Sequence, residues 1–141
     1  MGQSIKQNTD GSAGLAGPGG GSGEFVAIDA QYDANSTNFG IFVASRRYII
    51  KSVIGRPKTA GTDPGAVSVS VSVSADGSNT SAGSKCHSSS INLKGTNHTN
   101  QVMNINTDGT EIVEAGYAIG LDFSGVLTAA VGTVSITLCP A

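Results

Sequence analysis

The chain has 141 residues, of which 38% are hydrophobic and 13% charged, and its formal net charge is −2. This length fits one domain with a modest core. The eight Lys and Arg residues are too scattered for the clustered basic face that sequence-independent nucleic-acid binding requires, so we expect no nucleic-acid partner. No segment approaches the roughly 20 apolar residues of a membrane span, so we expect no membrane partner.

The first 23 residues, MGQSIKQNTDGSAGLAGPGGGSG, include eight glycines and few side chains that could build a core. This composition is typical of a flexible segment. We therefore expect an extended N-terminal arm over residues 1–23 that becomes ordered on a partner surface, with an ordinary linker as the alternative. The expected anchoring residues are Gly2, Ile5, Leu15 and Pro18.

Residues 24–141 read as short strands separated by turns, without a long helix. The predicted strands are 24–31, 39–45, 47–55, 66–75, 85–93, 101–106, 117–123 and 131–138. Eight short strands with Gly-, Asp- and Asn-containing turns indicate an all-β fold. We expect a jelly-roll-like β-sandwich over residues 24–141, with a small barrel as the alternative.

The most regular stretch is AVSVSVSVSA, residues 66–75. Strict alternation matches the two-residue period of a strand and puts all valines on one face and all serines on the other. The valine face, predicted to be core, is Val67, Val69, Val71 and Val73. The serine face, predicted to be either an oligomer contact or an exposed strand face, is Ser68, Ser70, Ser72 and Ser74.

Residues that could carry chemistry are sparse. His87 and His98 belong to no catalytic motif, and Cys86 and Cys139 lack the short paired spacing of a zinc site, so we expect free thiols. We therefore expect no enzyme, no catalytic residue, no cofactor and no metal. A glycosidase pair of Glu111 with Glu114 or Asp122 stays open, since nothing in the sequence places two carboxylates across a cleft.

Two stretches carry a resemblance to a known family. They are IIKSVIGRPKTAGTDPGAVSVSV, residues 49–71, and EAGYAIGLDFSGVLTAAVGTVSITLCPA, residues 114–141. In the second, Ala115-Gly116 precedes a strand, Gly120-Leu121-Asp122-Phe123 is followed by Ser124-Gly125, and a last Val/Ile/Thr strand closes the chain. This style resembles the β-sandwich domains of tailed-bacteriophage head decoration, or cement, proteins. One departure is Tyr117-Ala118, where such proteins more often have a polar pair.

The resemblance implies a binding function on the virion. Such a protein sits as homotrimers on the outer capsid surface and clamps adjacent subunits of the major capsid protein, after synthesis in the cytoplasm of the bacterial host. A first alternative is a phage fibre, spike or head-fibre module that binds the host surface or a glycan through loops 76–88 or 94–100. A second is a cellular β-sandwich adhesin or an enzyme accessory module. Fold analogy alone does not decide among them.

Overall fold

A computed structural model of the protein describes residues 24–141. Ten strands were found in this part of the chain, and its helical structure is one 3-10 turn, Thr80–Ala82. The strands are β1 Val26–Tyr32, β2 Phe39–Val43, β3 Tyr48–Thr59, β4 Ser68–Ser74, β5 Ser84–Lys85, β6 Ile91–Asn92, β7 Gln101–Val102, β8 Ile112–Val113, β9 Ala118–Ser124 and β10 Val131–Pro140. The predicted arm lies outside the described residues, so the boundary at residue 23 stays a prediction.

The strands form two five-stranded antiparallel sheets. Sheet 1 has the order β1-β10-β3, and both β7 and β8 pair with the far edge of β3; sheet 2 has the order β2-β9-β4, and both β5 and β6 pair with the far edge of β4. Because β5 and β6 share one edge, as do β7 and β8, each couple is one interrupted strand. The result is the double-sheet arrangement of a jelly roll. The predicted all-β, jelly-roll-like sandwich is confirmed.

The core lies between the sheets and follows the alternation in the sequence. In β10, Val134, Ile136 and Leu138 are buried, while the residues between them point to the other face and are half-buried. The predicted valine core is confirmed, since Val67 just before β4 and Val69, Val71 and Val73 within it are all buried. The inner face of each strand thus supplies branched aliphatic side chains of moderate size, which pack well on a pleated surface.

The sandwich is closed on one side by main-chain hydrogen bonds between the two sheets. The Asn106 amide donates to the Cys86 carbonyl at 2.9 Å, the Ser88 amide donates to the Asn104 carbonyl at 3.3 Å, and His87 forms a β-bridge with Ile105. On the opposite side, β1 and β2 are edge strands that pair with one neighbour each. One side of the molecule is therefore joined by main-chain hydrogen bonds between residues 86–88 and 104–106, and we call it the zipped side. The other side has two open strand edges.

The strand bounds differ from prediction mainly along the zipped side. Residues 85–93, predicted as one strand, are interrupted between β5 and β6, and 101–106 keeps ladder pairing only as β7 plus the bridge at Ile105. The two-residue strand β8 was not predicted, because a segment this short has no readable alternation. No helix in the described part of the chain is long and apolar enough to cross a membrane.

Candidate binding surface

The predicted arm anchors, Gly2, Ile5, Leu15 and Pro18, lie outside the described residues. What the structure does show is the end of the sandwich where residues 1–23 join it. Phe25 precedes β1 at that end, where Val26 pairs with Leu138 near the end of β10. The strand β2 ends there at Val43, and β9 begins there next to Tyr117, because Val43 pairs with Ala118.

This end is apolar. The exposed fraction is 63% for Phe25, 70% for Val43 and 36% for Tyr117, values that place these three among the exposed large hydrophobic residues of the described chain. We call the end of the sandwich that carries Phe25 on sheet 1 and Val43 and Tyr117 on sheet 2 the arm-side end. Exposed apolar side chains at one end of the sandwich mark that end as a candidate contact surface.

Main-chain hydrogen bonds fix the shape of the arm-side end. The Ala44 amide donates to the Tyr117 carbonyl at 2.8 Å, and the Gly116 amide donates to the Ala44 carbonyl at 2.7 Å. Gly116 adopts φ +86°, a left-handed conformation that suits glycine and turns the chain into β9. The arm-side end is therefore a preorganised surface and needs little ordering when a partner binds.

Charged groups border this surface without dominating it. The Arg47 Nε and Glu114 Oε1 lie 3.5 Å apart, and both side chains are half exposed, so the pair adds little stability. Beside Tyr117 and Glu114 is a depression of about 400 Å³ whose rim includes Asp108. Hydrogen bonds from the Thr110 side chain and amide hold the pKa of Asp108 below its usual range. Asp108 is thus a turn residue whose carboxylate bonds within its own turn.

Three of the four serines on the outer face of β4 are not available to a partner. Ser70, Ser72 and Ser74 are buried and Ser68 is half-buried, so the prediction of an exposed strand face is wrong for the first three. The chain covers them itself: Ser70 Oγ hydrogen-bonds Ser90 Oγ at 2.8 Å, and Ser72 Oγ donates to the Thr80 carbonyl at 3.0 Å. We call residues 79–83 and 88–90, which flank β5 and lie against the outer face of sheet 2 at Thr80 and Ser90, the cover segment.

Small residues let the cover segment lie directly on sheet 2. A Cβ on Gly120 would be 2.6 Å from Thr80 Cγ2, and a Cβ on Gly83 would be 2.7 Å from the Val73 carbonyl oxygen. The serines of β4 are therefore small because residues of the same chain pack directly on them. The sequence pattern could not reveal this, because alternation defines two faces but not what covers the second one.

His87 holds the middle of the zipped side. Its Nε2 accepts a hydrogen bond from the Val71 amide at 2.9 Å, and Nδ1 lies 2.6 Å from the Ser89 carbonyl oxygen, so the neutral ring with a proton on Nδ1 satisfies both contacts. Burial lowers the pKa of His87; the Ser89 carbonyl raises it, and the nearby Lys85 lowers it further. The imidazole replaces a ladder carbonyl where β5 and β6 are interrupted, which is a structural role.

The remaining titratable candidates do not converge. No group of three or more His, Cys, Asp or Glu side chains within residues 24–141 is placed to hold a metal ion. Cys86 is buried on the zipped side and Cys139 lies near the end of β10, and the structure does not join them by a disulfide. Asp122, one of the open carboxylates, accepts from Lys85 Nζ at 2.7 Å and from Asn38 Nδ2 at 2.8 Å, so it is occupied in structural contacts.

Comparison with known proteins gives no family. No protein-family pattern matches the chain, and no curated protein matches it in sequence. Among solved structures, it is similar to a chain described as "Cyanophage Pam1 capsid asymmetric unit", with a TM-score of 0.48 and 16% identity over 97% of this chain and 100% of that chain. It is also similar to a chain from "Bacillus endospore appendages form a novel family of disulfide-linked pili", with a TM-score of 0.40 and 15% identity over 92% of this chain and 98% of that chain. Similarities at these TM-scores do not establish a shared family.

Proposed function

We propose that this protein is a bacteriophage capsid decoration protein that binds the outer capsid surface as a homotrimer and stabilises adjacent major capsid protein subunits. It would act by binding, without catalysis or a cofactor, and would reside on the virion after synthesis in the host cytoplasm. The observation that carries the proposal is the apolar arm-side end, where Phe25, Val43 and Tyr117 are exposed next to the segment expected to anchor on a partner.

The arm and the arm-side end are complementary in what they would contribute. Twenty-three residues reach up to about 70 Å when extended, far enough to follow a groove between capsid subunits. The arm-side end offers exposed apolar side chains on strands of both sheets, next to the first described residue. Since both contacts belong to one chain, the second one forms at a high effective concentration once the first has formed.

Trimer formation is supported by the open side of the sandwich. The edge strands β1 and β2 each have one unpaired edge, and half-buried apolar residues lie along them, among them Ile28, Ile41 and Phe42. Natural sheets usually protect such edges, and contact with a neighbouring copy is one way to do so. Light scattering of the purified full-length protein should give three times the 14.1 kDa chain mass; a monomer mass would remove the trimer from the proposal.

The decisive experiment measures binding to capsids from a phage that lacks this gene. Full-length Val43→Asp should bind at least about tenfold more weakly in cosedimentation, because a carboxylate would have to be desolvated at the contact. Val126→Asp is the matched control: Val126 is 57% exposed and follows β9 at the opposite end of the sandwich. Equal binding by the two variants would show that the arm-side end does not face the capsid.

A second pair of variants separates the arm from the arm-side end. Ile5→Asp with Leu15→Asp should weaken capsid binding while the unfolding midpoint stays unchanged, since the proposal makes residues 1–23 an arm outside the sandwich. Gln3→Asp with Gln7→Asp adds the same charge at polar positions and serves as the control. If both double variants bind like the natural protein, the arm does not anchor it.

A further inference from the structure

The chain contains three Asp-Gly dipeptides, and two of them, Asp76-Gly77 and Asp108-Gly109, lie within the described residues. Such a pair can react with itself: the glycine amide nitrogen attacks the aspartate Cγ, and glycine has no side chain to hinder the approach. Both described pairs are exposed, and both glycines have a positive φ, so neither property distinguishes them. The two pairs differ in their hydrogen bonds.

At Asp108-Gly109 both reacting groups are already occupied. Asp108 Oδ1 accepts from the Thr110 amide at 3.1 Å and from the Thr110 hydroxyl at 2.6 Å. The Gly109 amide donates to Glu111 Oε1 at 2.7 Å. Ring closure requires these bonds to break first. The bonds from Thr110 also hold the pKa of Asp108 below its usual range, which leaves less of the protonated carboxyl that reacts.

At Asp76-Gly77 both reacting groups are free. Within residues 24–141, neither the Asp76 carboxylate nor the Gly77 amide has a hydrogen-bond partner. A Cβ built on Gly77 would meet no atom within 4 Å, so there is room for the turn to change shape. The Ser78 amide donates to the Ala75 carbonyl at 2.9 Å and closes the turn without engaging either reacting group.

We infer that Asp76 is a site of spontaneous aspartate isomerisation in the folded protein. The Gly77 nitrogen forms a bond to Asp76 Cγ, and its proton leaves with the carboxyl hydroxyl as water, which closes a succinimide ring. Water then adds to one of the two ring carbonyls. Addition at Cγ restores aspartate, and addition at the main-chain carbonyl of Asp76 gives isoaspartate, in which the chain runs through Cβ and Cγ. The sequence balances with water alone, and it is a covalent modification of the main chain.

This modification falls on the connection between β4 and the cover segment. Isoaspartate adds a carbon atom to the main chain inside the turn 75–78, which the bond between Ser78 and Ala75 closes. The chain continues directly to Thr80, whose carbonyl accepts from the buried Ser72 at 3.0 Å. We expect the lengthened turn to hold the cover segment less firmly on sheet 2, so that the modified protein unfolds at a lower temperature.

The test is incubation of the folded full-length protein in heavy-oxygen water at mildly acidic pH, where part of the carboxylate is protonated. Each passage through the succinimide places a solvent oxygen in the carboxyl group. Cleavage after Lys and Arg separates the three Asp-Gly pairs into peptides 7–46, 59–85 and 95–141. Mass spectrometry with fragmentation then locates the heavy oxygen and the isoaspartate.

Both products should accumulate at Asp76 at least about tenfold faster than at Asp108, because several hydrogen bonds oppose the reaction at Asp108. In urea that unfolds the chain, the two rates should become similar, since those bonds are lost. A rate at Asp76 no greater than that at Asp108 in the folded protein, or a difference that persists in urea, would overturn the inference.

Variants assign the reaction to these groups. Asp76→Glu keeps the charge but would need a larger ring, so peptide 59–85 should stay unlabelled and the unfolding midpoint should not fall during incubation. Glu111→Ala frees the Gly109 amide and should speed labelling at Asp108. Labelling of peptide 59–85 in Asp76→Glu, or an unchanged rate at Asp108 in Glu111→Ala, would contradict the assignment. The reaction needs no capsid, so it can fail or succeed separately from the proposed function.

Discussion

Gly40 and Gly120 are direct cross-strand partners between β2 and β9, yet only one of them is pressed against other backbone. A Cβ on Gly120 would lie 2.7 Å from the Phe39 carbonyl oxygen and 2.6 Å from Thr80 Cγ2, whereas a Cβ on Gly40 would meet its nearest atoms at 3.9 Å. We expect Gly120→Ala to lower the free energy of unfolding by about 1–3 kcal/mol, because the cover segment would have to move.

Gly40→Ala is the matched control for this prediction. Its added methyl group makes ordinary contacts, so the free energy of unfolding should change by less than about 0.5 kcal/mol. Urea unfolding followed by circular dichroism measures both variants. Similar losses in the two would mean that glycine is needed for strand geometry and not for the close approach of the cover segment.

The stability of the protein should depend on pH through His87. Its pKa is lowered in the folded state, so the unfolded chain binds a proton at a higher pH than the folded one does. The stabilisation is therefore complete above about pH 6.5, the unfolded value, and is lost as the pH falls below it toward the folded pKa. Protonation at Nε2 also removes the acceptor that the Val71 amide needs.

His87→Gln tests this, because the Gln side-chain oxygen can accept from Val71 but does not titrate. The melting temperature of the natural protein should fall more steeply between pH 7 and about pH 5 than that of His87→Gln. His98→Asn is the control, since His98 is exposed, and its φ of +60° suits asparagine. If His87→Gln and the natural protein lose stability in parallel, the acid sensitivity has another source.

Ser72 should resist enlargement. It is fully buried, donates to the Thr80 carbonyl, and lies under Gly83, so Ser72→Val would both remove a hydrogen bond and overfill the space. We expect a loss of about 1–3 kcal/mol in the free energy of unfolding. Ser68→Val, on the same face but half-buried, should cost less than about 0.5 kcal/mol. A stable Ser72→Val would show that the cover segment lifts easily from sheet 2.

The thiol of Cys86 should not react with alkylating reagents in the folded protein. Burial raises the pKa of its thiol to about 12, with a smaller effect of Glu111 in the same direction and an opposing one from a backbone hydrogen bond. Because the thiolate is the reactive form, iodoacetamide at pH 8 should not label Cys86 until the chain is unfolded. Mass spectrometry of a Cys139→Ser variant isolates the signal from Cys86. Rapid labelling of the native variant would indicate opening of the zipped side.

The sequence was sufficient for the fold class and for the inner faces of the sheets. In β4 and β10 the two-residue alternation identified which side chains form the core, because a strand with one buried face has an apolar residue at every second position. It failed where partners come from distant segments. The interruption at His87 depends on a side chain reaching Val71, and nothing local in CHSSS predicts that contact.

Surfaces were harder to predict than the core. The serines of β4 could have faced water, another subunit or the chain itself, and only the position of the cover segment decides among these. The arm-side end combines residues more than 70 positions apart, Val43 and Tyr117, and the outer face of sheet 1 combines Asp29 with Ser135. Such surfaces follow from strand register, which the sequence does not state.

The pairing of β1 with β10 also determines how the molecule responds to mechanical force. A pull on residues 1–23 enters the sandwich at Val26, and β1 is held along one edge by seven residue pairs with β10. Force along the strand axis loads those pairs in shear, so they must rupture together, whereas force across the sheet peels them one at a time. The domain should therefore withstand tension from its arm in one direction and unravel from the open side in the other.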